Sequence, residues 1–309
     1  MAIGPATVRR VTSAAAARRG IVAICITGVL WATIGIGVRL LQDHGHLGSV
    51  TILFWRLVFG GAVLSALVGR EGWRALLVEL RRPARLLVVS IGSIGFQLTY
   101  FFAVADDGVA VPTLVTLGLA PVAALTWESW RAGRRPAPRT LAVLGCALTG
   151  LALVSSSHAG SGVAPHPVRG VILSIVSGLL YAASTLVSRG LSRRLSPQAL
   201  TAGATLIGVL LLAAPAVVSG AGVPFTLPVI GGLAYLGVVT TAIAYVLFYQ
   251  GLRTTPGGVA MVLTLLEPAT AVVLAAALLS EPITTASGAG ALLVLTAVAV
   301  LYLGPVAAG

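Results

Sequence analysis

The sequence predicts an all-α integral membrane protein whose ten transmembrane helices form two inverted five-helix repeats. The first observation is the composition, because 57% of the 309 residues are hydrophobic, 9% are charged, and the mean hydropathy is +1.02. Such a composition suits a surface that faces lipid and not water. The second observation is an internal repeat, since residues 19–41 align without a gap to residues 169–191 with seven of 23 positions identical.

Ten apolar stretches each approach the length of about 20 residues that a bilayer requires. We predict one transmembrane helix for each stretch, at residues 20–41, 48–69, 86–105, 109–130, 140–157, 170–190, 198–218, 229–251, 258–279 and 284–303. Five helices fall in each half of the chain. Because five is an odd number, the second half must insert with the opposite polarity, which is typical of alternating-access carriers.

The basic residues, all arginine, predict the orientation. With the amino terminus in the cytoplasm, seventeen of the 20 fall in the tail or in cytoplasmic connections. Arg39 and Arg169 lie at the outer side, and Arg56 lies inside the second helix. By the positive-inside rule, we predict a multi-pass protein of the cytoplasmic (inner) membrane with both termini in the cytoplasm. A nucleic-acid partner is not expected, because the arginines are dispersed over five segments instead of one face.

The chain is predicted to contain a short tail, two repeats and a linker. Residues 1–19 form a cytoplasmic tail, residues 20–157 the first repeat, residues 158–169 an outer linker rich in Gly, Pro, Ser and His, and residues 170–304 the second repeat. The apolar stretch after Arg19 is longer than the core of an ordinary signal peptide and has no clear cleavage site. We therefore predict that it is retained as the first helix.

The strongest candidate for a functional side chain is Glu267, which lies about nine residues into the ninth helix and hence near the middle of the membrane. Ionisable groups at this depth are costly and normally face a cavity or a partner. Pro268 follows it and removes a hydrogen bond to the carbonyl of Thr264. We predict that Glu267 binds substrate and couples transport to protons, and that Thr264 also contacts substrate. Pro268 and its first-repeat counterpart Pro121 are predicted structural or gating residues; for Glu267, a structural hydrogen bond to another helix is the alternative.

Polar and aromatic side chains on four other helices are predicted to line the same cavity. Trp31 and Tyr181 occupy equivalent positions in the two repeats. On the third helix, Gln97, Tyr100 and Phe101 are three or four residues apart and share one helix face, and the eighth helix has a similar face. For each aromatic ring, packing or an interfacial anchor is the alternative. The predicted substrate contacts on these helices are Trp31, Gln97, Tyr100, Tyr181, Thr241 and Tyr245.

Interactions are also predicted for two further charged residues, Arg56 and Glu128. Arg56 is predicted as a structural or gating residue that either reaches outward to the membrane surface or pairs with an acid across the bundle. Glu128 is expected to form a solvated ion pair with Arg131, three residues later. Neither a metal nor a cofactor is expected: Cys25 and Cys146 have no CxxC spacing, and the histidines in the outer loops offer too few fixed ligands.

Four segments distributed over both halves carry a family resemblance. They are WAT and YAA, which follow Gly28 and Gly178, the run TTAIAYVLFYQGL that ends at Leu252, and LLEPATAVVLAAALLSEPIT at 265–284. With the five-plus-five helix pattern, these segments resemble the EamA family of the drug/metabolite transporter superfamily. The resemblance covers roughly residues 20–304. It implies ten helices around a central cavity and a secondary exporter or importer of amino acids, metabolites, vitamins or toxic compounds.

The resemblance also implies a role for Glu281. This residue matches the glutamate that the family carries near the end of the ninth helix, so we expect it to be a structural or gating residue. It lies thirteen positions after Pro268, whereas the residue thirteen positions after Pro121 is Arg134. The two halves are therefore not expected to gate identically.

We predict a secondary active transporter, not an enzyme, that exports a small metabolite, amino acid or drug-like solute by alternating access. Proton coupling is a hypothesis, and an importer of a vitamin or metabolite with the same fold is the alternative. Remote alternatives are a membrane scaffold and a membrane-embedded enzyme, which would need paired acids or metal ligands at membrane depth. The expected partners are the solute and the lipid bilayer, and the sequence leaves a homodimer open.

Overall fold

The protein is helical throughout the part of the chain that the structure describes. The computed structural model describes residues 5–156, 165–220, 222–279 and 282–303. Within these ranges the helices are joined by short connections and no β-strand is present, which confirms the predicted all-α class. Glu281 and most of the predicted linker 158–169 lie outside the described residues.

The first half contains six helices. They are α1 (Pro5–Gly45), α2 (Ser49–Leu67), α3 (Arg70–Glu79), α4 (Ala84–Asp107), α5 (Ala110–Ala132) and α6 (Pro138–Ser156). All except α3 contain a stretch that is long and apolar enough to cross a membrane, and the stretch in α1 begins at Ala15. Helix α1 thus begins earlier than the predicted residue 20, and the predicted tail is helical from Pro5.

The second half contains seven α-helices and one π-helical segment. They are α7 (Pro167–Ser192), α8 (Pro197–Val218), α9 (Leu227–Gly237), the π-helical segment Val238–Ile243, α10 (Ala244–Leu252), α11 (Gly257–Thr264), α12 (Leu266–Leu279) and α13 (Thr285–Leu303). Helices α9 and α10 with the π-helical segment form the eighth span, and α11 with α12 forms the ninth. The described residues therefore contain ten candidate membrane spans, which confirms the predicted number.

The sequence analysis did not predict helix α3. This helix is too short to cross a bilayer, and it carries Leu76 buried against Gly203 of α8 while Arg70 and Arg74 are exposed. One buried face and one charged face are typical of a helix that lies at a membrane surface. The prediction overlooked it because the segment is short and rich in arginine.

Two interruptions occur inside spans. In the ninth span the helix breaks at Leu265, because Pro268 has no amide hydrogen to donate to the carbonyl of Thr264. In the eighth span the backbone adopts π-helical turns, which are frequent at functional sites. Pro121, in contrast, lies within α5 without ending it. The equivalent prolines of the two halves therefore have different effects on their helices.

The first helix of each half packs against helices of the other half. A Cβ added at Gly28 of α1 would contact Leu266 of α12, and a Cβ added at Gly178 of α7 would contact Leu119 of α5. Leu119 and Leu266 are equivalent in the register that aligns the two helix prolines. Helix α1 also packs on α10, and α7 on α4. The two halves therefore pack against each other through equivalent contacts. Their interface lies at the centre of the bundle.

Glycines permit the closest helix crossings. A Cβ on Gly150 of α6 would lie 2.6 Å from the carbonyl oxygen of Gly290 in α13, and a Cβ on Gly60 of α2 would lie 2.8 Å from the carbonyl oxygen of Gly237. In lipid, helix association depends on such packing, because lipid tails are as apolar as the side chains themselves. Each crossing joins one span of the first half to one span of the second.

Consecutive spans cross the bundle in alternate directions, which defines two sides. The terminal side is the side at which the span of α1 begins and α13 ends, and it holds the connections that follow α2, α5, α7 and α10. The opposite side holds the connections that follow α1, α4, α6, α8 and α12.

Candidate functional site

A cavity lies between the two halves beside the break in the ninth span. It contains about 630 Å³ of space free of protein atoms, including the space at its mouth. Seven helices contribute its wall, which contains one carboxylate, one guanidinium and six aromatic rings. The lining residues are Trp31, Ile34, Arg56, Phe96, Gln97, Tyr100, Phe101, Leu117, Tyr181, Tyr245 and Glu267.

Glu267 is the acid of this cavity. It lies in the first turn of α12, directly after the break, where Gly28 lets α1 approach the Glu267 backbone. Its carboxylate makes no hydrogen bond or direct ion pair with any residue in the described ranges, and its charge interacts with that of Arg56. A carboxylate without a protein partner among the described residues, in a wall made mainly of aromatic side chains, is suited to bind a cationic group or a proton.

Arg56 is held inside the bundle. Its side chain is only 3% exposed, and its Nε donates a hydrogen bond of 2.7 Å to the hydroxyl of Thr241. That hydroxyl in turn donates a hydrogen bond of 3.2 Å to the carbonyl of Leu236. The two residues are five positions apart, which is the spacing of a π-helical turn. Arg56 therefore does not extend to the membrane surface, which was one of its two expected arrangements. It shares the cavity with Glu267 without a direct ion pair between these two described residues.

Trp31 is fixed by the eighth span. Its ring centroid lies 5.1 Å from that of Tyr245 and 5.4 Å from that of Phe248. Its indole Nε1 donates a hydrogen bond of 3.1 Å to the carbonyl of Thr240 in the π-helical segment. A buried tryptophan normally requires such a partner for its N–H group. The orientation of this ring in the cavity is thus set by three groups on one neighbouring span, two rings and one backbone carbonyl.

Two tyrosines from different halves form other parts of the wall. The ring of Tyr181 stacks on Phe96 with a centroid distance of 4.8 Å, and its hydroxyl shares a hydrogen bond of 3.1 Å with the hydroxyl of Thr264. The hydroxyl of Tyr100 shares a hydrogen bond of 2.8 Å with that of Thr113. Because each hydroxyl has a partner, the rings present mainly apolar faces to the cavity.

A second cavity adjoins the first and extends to the opposite side. The two share the lining residues Trp31, Tyr100, Leu117 and Glu267. The second is also lined by Pro268 and, at helix ends on the opposite side, by Val109, Ala110, Val154 and Ser155. The space beside Glu267 therefore continues toward the opposite side.

On the terminal side, contact between α5 and α11 closes the bundle. Helix α5 packs closely against α11 but not against α12, which continues the same span. A Cβ added at Gly258 would lie 2.5 Å from Cγ of Leu125, so these helices approach each other as closely as the glycine allows. The fourth and ninth spans meet on the terminal side and diverge on the opposite side.

Six of the eight predicted substrate contacts line the cavity, and two lie behind it. Thr241 is buried and holds Arg56, while Thr264 is buried and bonds to Tyr181. The lining positions are Trp31, Gln97, Tyr100, Tyr181, Tyr245 and Glu267.

The residues that were predicted as structural or gating residues have different locations. Arg56 lines the first cavity and Pro268 lines the second. Pro121 is buried in α5, and Glu281 falls outside the described residues.

Three residues of the wall were not predicted from the sequence: Ile34, Phe96 and Leu117. Phe96 lies four residues before Tyr100 on α4, and this helical spacing was an available signal. Leu117 carried no signal, because one leucine in an apolar helix resembles its neighbours.

Within the described residues, no group of three or more His, Cys, Asp or Glu side chains could hold a metal ion. The arrangement can hold a cation at Glu267, an anion at Arg56 and an apolar group between the rings.

Comparisons with known proteins agree with this architecture. The sequence model of the EamA-like transporter family matches residues 18–156 and 168–303, five spans in each match. The chain is 27% identical to the uncharacterized transporter YwfM of Bacillus subtilis over 284 residues, which cover 91% of this chain and 93% of the relative. It is 22% identical to the uncharacterized inner membrane transporter YicL of Salmonella typhimurium over 289 residues, which cover 93% and 96% of the two chains.

One solved crystal structure of a protein shares the fold. It matches with a TM-score of 0.70 and 19% identity, over 91% of this chain and 95% of that chain. At this identity the likeness concerns the fold alone.

Proposed function

Because this chain belongs to the EamA-like transporter family, we propose that it is a secondary active transporter that moves a small solute through the cavity between its halves. The observation that carries the proposal is the carboxylate of Glu267, which faces this cavity without a protein partner beside a break in the ninth span. A charged group at this depth normally marks a substrate or ion pathway.

The wall of the cavity favours a small amphipathic solute. Glu267 can bind an amine and Arg56 can bind a carboxylate or another anion, since both charged groups line one space. The surrounding rings offer apolar faces and, for a cationic group, the attraction of an aromatic face. Metabolites, amino acids and drug-like molecules that combine a charged group with an apolar part have this chemistry.

Proton coupling is part of the proposal and is assigned to Glu267. A proton and a cationic solute would compete for the same carboxylate, because no described residue satisfies it otherwise. Binding of one would then release the other, which exchanges protons for solute across the membrane. Such an exchange needs no nucleotide and no chemical change in the solute.

Alternating access follows from the proposed inversion of the two halves. Each half contributes five spans, and the first helix of each half packs on the other half through equivalent positions. Two halves related in this way can exchange roles, so that the cavity opens first to one side and then to the other. We propose that the halves rock about the cavity that contains Glu267.

The proposed location is the cytoplasmic membrane, with the terminal side in the cytoplasm. The support is the distribution of arginine, since seventeen of the 20 fall on the terminal side. Export from the cytoplasm is the proposed direction, and import is the alternative. With this orientation, the second cavity extends outward from Glu267.

Solute flux in proteoliposomes tests the proposal. The purified chain is screened with amino acids and small aromatic metabolites, with and without an imposed pH gradient, beside Glu267→Gln. The matched control is Glu71→Gln, which removes an exposed acid from α3 far from the cavity. Both variants are compared with the unchanged protein by size-exclusion chromatography, so that a loss of flux is not a loss of folding.

We expect a pH gradient to drive flux that Glu267→Gln abolishes and Glu71→Gln leaves intact. The direction of the gradient that accelerates uptake distinguishes exchange with protons from co-transport. Flux that persists in Glu267→Gln would remove this carboxylate from the mechanism. A chain that is folded but moves no solute of the panel would contradict the proposed transport.

A further inference from the structure

Glu128 connects three spans on the terminal side. From α5, its carboxylate accepts hydrogen bonds from the backbone amides of Gly257, at 2.8 Å, and Gly258, at 3.1 Å, the first two residues of α11. It also forms an ion pair of 3.6 Å with Arg189 near the end of α7. The expected partner, Arg131, instead lies over the ring of Trp127. Glu128 thus joins one helix of the first half to two helices of the second.

The chemistry of this contact favours a carboxylate. The first amides of a helix have no partner within the helix, and the partial positive charge at this end favours an anion. Each amide donates to a different oxygen of the carboxylate, and an ionised acceptor makes stronger hydrogen bonds than a neutral one. The side chains of Glu128 and Arg189 are only 21% and 25% exposed, so water screens this cluster incompletely.

The equivalent position on the opposite side carries no acid. In the register that aligns the two helix prolines, Glu128 corresponds to Ala275, and Gly257 corresponds to Ala110. Ala110 lines the cavity that extends to the opposite side, whereas Gly257 is covered by Glu128. At this pair of equivalent positions the carboxylate contact is therefore present on the terminal side, where the structure is closed, while on the opposite side a different ion pair, Asp106 with Arg169, joins α4 to α7.

We propose that Glu128 is the latch that closes the terminal side of the transport pathway. When the side chain holds the start of α11, α5 and the ninth span remain in contact and the cavity beside Glu267 communicates with the opposite side. When the carboxylate leaves Gly257, Gly258 and Arg189, the same helices can separate and open the terminal side. This assignment rests on the proposed transport function, but it concerns the protein's two conformations and not its solute.

The latch also gives the two conformations unequal free energies. The closed terminal side gains two charge-assisted hydrogen bonds and an ion pair, and Ala275 cannot supply the matching contact when the opposite side closes. The latch thereby contributes to the stability of the conformation in which the terminal side is closed. Solute that binds better to the other conformation would shift this balance.

Distances between spin labels test the latch without any solute. Cys25 and Cys146 are first replaced by alanine, and label pairs are then introduced at exposed positions, one pair on each side of the bundle. The terminal-side pair is Arg134→Cys with Arg253→Cys, and the opposite-side pair is Val109→Cys with Ile283→Cys. Distance distributions are recorded in lipid nanodiscs for the latch variants and their controls.

We expect Glu128→Gln to add a longer distance for the terminal-side pair and a shorter one for the opposite-side pair. The ratio of the two populations should change about tenfold, as expected for the loss of charge-assisted hydrogen bonds. Glu128→Asp keeps the charge but is one methylene shorter, and we expect an intermediate shift. The control Glu71→Gln, an exposed acid also on the terminal side, should leave both distributions unchanged.

Unchanged distributions in Glu128→Gln would overturn the latch, and so would a shift of the same size in Glu71→Gln. If Glu128→Gln does not fold, Arg189→Gln provides the second variant, because it removes the ion pair and leaves the two amide contacts. No shift in that protein would likewise contradict the proposal. A failed latch leaves the flux experiment unaffected, since flux lost in Glu267→Gln would still support transport.

Discussion

Arg56 and Thr241 connect the second span to the π-helical part of the eighth span. The Nε of Arg56 donates to the hydroxyl of Thr241 at 2.7 Å, and the same hydroxyl donates to the carbonyl of Leu236. The guanidinium of Arg56 is buried at membrane depth and lines the cavity. Because its Nε is bound to the hydroxyl of Thr241, this hydrogen bond helps to fix the direction in which the other N–H groups of Arg56 point. The π-helical segment thereby helps to position the charge of Arg56, which belongs to another span.

We predict that Thr241→Val destabilises the protein and lowers transport. The valine has a similar shape but cannot accept the hydrogen bond, so a buried charged donor loses its partner at a cost of about 1–3 kcal/mol. Thermal unfolding in detergent measures the change in stability, and proteoliposome flux measures transport. The control is Thr296→Val, an exposed threonine that bonds only to its own helix at Leu292. Equal stability of the two variants would contradict the role of Thr241.

We predict opposite outcomes for two glycines on the same helix. Gly150→Ala should lower the unfolding temperature, because its Cβ would lie 2.6 Å from the carbonyl oxygen of Gly290 and force α6 and α13 apart. Gly145→Ala should be neutral or stabilising, since no atom lies within 4 Å of the added Cβ. Thermal unfolding of the two variants in one detergent makes the comparison. Similar changes in both would show that this crossing does not limit stability.

Trp31→Phe should weaken both the fold and the binding of solute. The phenylalanine retains an aromatic ring beside Tyr245 but loses the hydrogen bond to the carbonyl of Thr240. That loss lowers the free energy of unfolding by about 1 kcal/mol. The smaller ring, no longer fixed in its orientation, also offers less contact to the solute, and a loss of about 1 kcal/mol of binding free energy would raise the KM of transport roughly fivefold. Trp130→Phe, at a ring that is 72% exposed, is the matched control. An unchanged KM in Trp31→Phe would exclude this ring from the binding site.

The orientation of the chain predicts which exposed positions a reagent reaches in intact cells. In a protein without Cys25 and Cys146, a cysteine at Val168 on the opposite side should react with a membrane-impermeant maleimide. A cysteine at Arg134 on the terminal side should react only after the membrane is permeabilised. The positive-inside distribution of arginine is the physical reason. The reverse labelling pattern would place the termini outside.

Hydropathy determined the number and approximate positions of the spans, because a stretch of about 20 apolar residues has no stable place outside a bilayer. It did not determine the short helix α3 or the π-helical segment, because neither changes the average hydropathy of its region. Glu267 and Pro268 could be identified from the sequence, since an acid and a proline are both rare and costly inside a span. The aromatic residues of the cavity were predicted as a set by their helical spacing, with Phe96 overlooked.

The sequence by itself determined that this chain is a membrane protein with ten candidate spans, and it identified an acid at membrane depth beside an aromatic cluster. Only the tertiary structure decided what those side chains contact. Thr241 and Thr264 hold Arg56 and Tyr181 instead of lining the cavity, and Glu128 binds the start of α11 instead of Arg131. Hydropathy and helical period describe one helix at a time, whereas these contacts join helices that are distant in sequence and depend on how closely their backbones approach.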